Sequence, residues 1–155
     1  MIRWLTILVF AISTVSATQV KDRSLADLVA DADHVVIGKV ETVKMYGLFG
    51  IPYPNPSART GPGSSNELRW GISVQESGVL YSKKEDFPAE FVIKLWSKWH
   101  MSLDGARSHE GKSYILLLKG DDLQWVYPAF FYRELSEIEE IKALIKNKKE
   151  LNKSV

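Results

Sequence analysis

His34-Val-Val-Ile-Gly-Lys-Val-Glu-Thr-Val-Lys-Met-Tyr46 is the stretch on which the fold turns. β-Branched residues dominate it, and these pack well on a pleated surface. Its apolar positions run Val35 and Ile37, slip to Val40, then continue at Val43 and Met45. One extra residue swaps the inward face of a strand, so the slip around Gly38 predicts a β-bulge and a bent first strand.

Further strands follow on the C-terminal side. Leu68, Trp70, Ile72 and Val74 alternate with Arg69, Gly71, Ser73 and Gln75, the period of a half-buried strand, and Val79-Leu80-Tyr81 extends it past a second bulge at Gly78. Lys83 to Asp86 with Pro88 makes a turn. Phe91, Ile93 and Leu95 restart the alternation and predict a third strand through about Trp99, and His100 to Gly111 reads as a loop. Ser113 to Lys119, apolar at consecutive positions between two glycines, predicts a strand buried on both faces. After the Gly120-Asp121-Asp122 turn, Leu123 to about Phe131 is the fifth strand, with Pro128 near a sheet edge.

Helices are expected at both ends of this β region. Ser24 and Asp27 have capping-box spacing, and Leu25, Leu28 and Val29 share one face, so a short helix covers about 24–32. Ser136 and Glu139 repeat the signature ahead of Ile138, Ile141, Leu144 and Ile145, with lysines late in the segment. The expected class is mainly β with some α: a small five-stranded OB-like barrel with a short N-terminal helix and a C-terminal helix.

Upstream, Arg3, the apolar run Trp4 to Ile12 and the small residues Val15-Ser16-Ala17 match a cleavable secretory signal. The run is shorter than the roughly 20 apolar residues that span a bilayer. Residues 1–17 are therefore expected to be a leader and 18–155 a single domain, exported to the periplasm or secreted, with no membrane anchor. The chain has no cysteine, so packing rather than disulfides must stabilise it. It carries 20 basic and 19 acidic residues, and loss of Arg3 leaves 19 of each. Such a balance does not favour nucleic acid as a partner.

Gly47 to Asn66 breaks the pattern with four glycines and four prolines. Pro52, Pro54 and Pro56 on alternate positions favour extended geometry, so a long exposed loop is expected. It is either a mobile insertion or a recognition element. Leu48, Phe49, Ile51 and Tyr53 point to the second, with a protein as the partner.

Catalytic signatures are lacking: there is no His-Glu-x-x-His, phosphate loop or nucleophile elbow, so no catalytic residue, cofactor or metal is assigned. His100 and His109, near Asp104 and Glu110, are weak metal candidates whose spacing fits no zinc pattern. His34 reads as a structural residue. An alternative ligand face would place Lys94, Trp96 and Lys98 on one side of the third strand with Arg69 beside them, suited to a glycan or envelope polymer. A core tryptophan flanked by snorkelling lysines explains the same residues. A structural envelope protein is the third reading.

Ala32-Asp33-His34-Val35-Val36-Ile37-Gly38-Lys39-Val40 and Gly111-Lys112-Ser113-Tyr114-Ile115-Leu116-Leu117-Leu118 resemble segments of the cysteine-less bacterial exported proteins with netrin-like, metalloproteinase-inhibitor-like barrels. The resemblance implies a binding or inhibitory module. Tissue inhibitors of metalloproteinases place an N-terminal disulfide-bonded cysteine on the catalytic zinc, and that mechanism does not carry over to a chain without cysteine.

Overall fold

The computed structural model describes residues 20–153. The expected leader, residues 1–17, lies outside the described residues. The architecture is a mostly β sheet with three helices: α1 (Leu25–Asp31), β1 (His34–Tyr46), β2 (Glu67–Ser82), β3 (Glu90–Lys94), α2 (Leu103–Arg107), β4 (Ser113–Lys119), β5 (Gln124–Trp125), β6 (Tyr132–Arg133) and α3 (Ile138–Lys153). The six-stranded antiparallel sheet runs β3-β2-β1-β4-β5, with β6 also paired to β4.

β1 and β4 have two buried faces, and this explains the apparent slip at Gly38. Val36 and Val40 enter one core with Trp70, Ile72, Ile93, Leu116 and Leu118. Val35 enters the other with Leu28, Ile115, Leu117 and Ile141, beneath α1 and α3, and Ile37 packs against it. The change from Val35 and Ile37 to Val40 is therefore a change of core, not an inserted residue. The extra residue in β1 is Glu41, since Val40 pairs with Ile72 and Thr42 with Gly71. Near Gly38 the surplus lies in β2: Val36 pairs with Val79 and Gly38 with Val74, so Gln75 to Gly78 loop out opposite Ile37. Gly38 answers to close packing, because a Cβ there would lie 2.6 Å from Ile72 Cγ2 and 3.0 Å from Leu116 Cδ1.

The expected fifth strand is two strands. β5 ends at Trp125, the chain bulges away through Pro128 and Phe130, whose φ is 65°, and β6 returns to the same neighbour. Leu117 anchors both margins of the bulge: its N–H donates to Phe131 O at 2.7 Å and its carbonyl accepts from Val126 N–H at 3.0 Å. Two further boundaries shift. β3 stops at Lys94 rather than near Trp99, and the expected loop after His100 contains α2, capped by Ser102 Oγ accepting from Gly105 N–H. Leu103 and Ala106 are its buried side; the glycine inside so short a helix hides it from a reading based on loop residues.

α1 starts as expected, with Ser24 accepting from Asp27 N–H at 3.1 Å. α3 does not use the Ser136 box. A 3-10 turn, Leu135–Glu137, leads into it, Arg133 holds Glu137 at 2.6 Å, and Glu139 pairs instead with Lys142 at 2.9 Å.

The sheet is open, not the expected closed five-stranded barrel: no backbone ladder joins β3 to β5. Side chains bridge the gap. Gln124 Oε1 accepts from Lys94 N–H at 2.9 Å, its Nε2 donates to Val92 O at 3.2 Å, and Trp125 Nε1 donates to Lys94 O at 2.8 Å.

Candidate functional site

The segment after β1 divides into a projecting tip and an anchored return. Gly47 N–H donates to Ile51 O at 2.8 Å, Tyr53 N–H donates to Met45 O at 2.9 Å, and Tyr46 bridges Pro52, so the tip extends the sheet as a tight turn. Phe49 sits at φ 59°, a left-handed conformation that an L residue adopts at a cost. The return is held differently. Thr60 is buried, its N–H donates to Met101 O at 3.0 Å and its hydroxyl to Trp99 O at 2.5 Å, while Leu103 N–H donates to Ala58 O. The long loop expected between Gly47 and Asn66 is thus built structure on both sides of the tip.

All four residues singled out for partner binding are on or beside that tip, and all are exposed: Leu48 at 60%, Phe49 at 89%, Ile51 at 62% and Tyr53 at 44%. No charged residue occurs between Gly47 and Ser57. Scattered exposed apolar side chains are ordinary, but a cluster on one ordered projection is a mark of an interaction surface.

The alternative ligand face does not assemble. Because β3 ends at Lys94, alternation no longer governs Trp96 and Lys98, which fall in a turn where Trp99 N–H reaches Trp96 O at 3.4 Å. Arg69 is opposite Lys94 in the ladder, yet its guanidinium lies 4.1 Å from the Tyr46 ring centroid and is bonded to Glu67. Lys98 is exposed on the turn, and Trp96 folds inward.

Trp96 instead joins an aromatic cleft that no local pattern reveals. Trp70 is its floor, with ring centroids of His109 at 4.8 Å, Tyr132 at 5.5 Å and Phe131 at 5.8 Å. Trp96 and Trp99, edge to face at 5.7 Å, form its rim with Met101. The cavity is small, about 30 Å³. His109 Nδ1 lies 2.8 Å from the Tyr114 hydroxyl. Burial, aided by the Lys112 charge, pushes the imidazole pKa down. Burial also pushes the Tyr132 phenol up. The lining is therefore uncharged at neutral pH.

No family model matches the chain, and no curated protein matches it. The physical features of the surface carry the functional reading.

The metal candidates do not meet. His100 is exposed and packs over Gly61, whereas His109 faces Trp70 and Tyr114. Among the described residues no group of three or more His, Asp or Glu side chains could hold a metal ion. His34 is buried with Nδ1 2.9 Å from Ser82 Oγ, in a structural setting. Among the same residues no helix is long and apolar enough to cross a membrane. Sequence reading missed the cleft because its walls come from five separate segments; the one local trace was the aromatic density at Trp96 and Trp99.

Proposed function

We propose that this chain is an exported, non-enzymatic binding module, an OB-like barrel left partly open between β3 and β5, that captures a protein partner with the tip formed by Leu48, Phe49, Ile51 and Tyr53. The carrying observation is Phe49, 89% exposed at the apex of a hydrogen-bonded turn. A projecting apolar knob without charge fits an apolar groove on a partner, where burial of each large side chain contributes about 1.5–3 kcal/mol. Because the turn is tied to Met45 and Tyr46, little ordering entropy opposes binding.

The barrel reading draws support from the Gln124 and Trp125 side chains that bridge β3 and β5. Export rests on the leader read in residues 1–17, and N-terminal sequencing of the purified product tests it: a start near Thr18 agrees, and retained Met1 rejects it. The partner reading is tested by crosslinking in the native compartment followed by mass spectrometry. Simultaneous replacement of Leu48, Phe49, Ile51 and Tyr53 by Ser should abolish the crosslinked species while leaving the fold intact. Undiminished capture by that variant rejects the role of the tip.

A further inference from the structure

Trp70 is 1% exposed, and its indole Nε1 is the one buried side-chain nitrogen or oxygen among the described residues with no hydrogen-bond partner. Buried donors are almost always satisfied, so an orphan of this kind calls for an acceptor. Trp70 lines the aromatic cleft, whose lining includes none of the residues of the apolar tip.

The cleft adjoins a second space. A recess of about 280 Å³ shares Trp99 and Tyr132 with it and is lined also by Val20, Ala129 and Phe130. The inner cavity of about 30 Å³ accepts little more than a water molecule. Were the Trp99 ring to swing aside, the two would join into a space at the lower end of the range for small-molecule sites, about 300 Å³. Trp99 is placed to do so: it is 37% exposed, lies in a turn beyond the end of β3, and contacts Trp96 edge to face. Phe130, which also lines the recess, is held at φ 65°, and backbone strain of this kind gathers at ligand clamps.

We infer that this cleft is a binding site for a small uncharged aromatic molecule bearing a hydrogen-bond acceptor, which enters past Trp99 and takes the Trp70 indole N–H. The ring specificity comes from the Trp70, Trp96 and Phe131 faces, against which an aromatic ligand stacks or packs edge-on. The neutrality comes from the lining, which holds no Lys, Arg, Asp or Glu side chain. The acceptor requirement comes from the orphan donor: an isostere without an oxygen leaves the N–H unsatisfied, and sites of this kind reject such analogues.

Acetophenone and α-methylstyrene, which differ by oxygen against a methylene group, form the test pair. Titration of each into the ¹⁵N-labelled protein, followed through the tryptophan indole N–H signals, reads both affinity and contact. The expected result is that acetophenone binds about tenfold tighter and moves downfield one indole signal, the one absent from Trp70→Phe. In a folded Trp70→Phe protein the two compounds should bind alike. The comparison on the unaltered protein decides the matter even where that variant fails to fold, the Trp70 signal then being assigned by its contacts to Tyr132 and Phe131. Equal affinity of the two compounds, no binding of either at millimolar concentration, or a Trp70 N–H signal that contacts only a resident water would overturn the inference.

Discussion

Gln124 takes the backbone N–H of Lys94 on its side-chain oxygen at 2.9 Å, joining residues at opposite margins of an open sheet. The same amide donates to Val92 O, and Trp125 Nε1 satisfies Lys94 O, so one edge of β3 is capped by side chains instead of a strand. Unpaired edges invite aggregation, and this arrangement covers one.

Gln124→Ala removes the two Gln124 side-chain bonds to β3, leaving only the Trp125 bond across the edge. A loss of about 1–3 kcal/mol is expected from the unpaired groups. Urea unfolding measures it, and hydrogen exchange at the Lys94 amide should quicken in parallel. Unchanged exchange there would show that the bridge does not protect the edge.

Phe49→Gly separates the roles of the tip. Glycine accepts the left-handed conformation, so stability should hold or rise by up to about 1 kcal/mol. Partner capture should nevertheless fall, because the most exposed ring is gone. Opposite movements of melting temperature and capture are the expected signature of a residue kept for binding.

Gly38→Ala brings a methyl group against Ile72 Cγ2 and Leu116 Cδ1, in a core already filled from both neighbouring strands. Overpacking at such a site costs about 1–3 kcal/mol. Gly50→Ala makes a useful contrast, since no atom lies within 4 Å of a Cβ there and only its φ of 71° opposes the change.

Acid should weaken the fold in two stages. Burial lowers the pKa of His34 and of His109 from the ordinary value of 6.5. The unfolded chain then binds protons that the folded one refuses, so their contribution is complete above 6.5 and is lost as pH falls below it toward the lowered folded values. The slope is at most about 1.4 kcal/mol per pH unit for each imidazole. Asp31, bonded to Arg23, and Asp33, bonded to Lys83, are held below the usual 3.8, so their contribution persists until pH falls below that value. Denaturant midpoints across this range should step down twice, and His34→Gln with His109→Gln should flatten the upper step.

Lys148 ties α3 to the end of α1. Its ammonium donates to Val29 O at 3.0 Å and to Ala32 O, and lies 4.7 Å from the Tyr81 ring centroid. Lys148→Met keeps the apolar stem but leaves those carbonyls unpaired, and a loss of about 1–3 kcal/mol is expected by urea unfolding.

Short-range chemistry is legible in the chain itself. The cap at Ser24, the double burial of Ser113–Lys119, the strand character of His34–Tyr46 and the exposure of Leu48, Phe49, Ile51 and Tyr53 follow from period, composition and turn residues within a few positions. Folding then decided what a period of two leaves open: where both faces of a strand are buried, alternation separates Val35 from Val36 but does not say which meets the helices. It also decided that the last strand breaks between Trp125 and Tyr132, that Gln124 closes on Lys94 thirty residues away, and that Trp70, Trp96, Trp99, His109 and Tyr132 share one cleft. Those contacts join residues far apart in the chain, and local propensity carries no information about which distant partner will fill a given space.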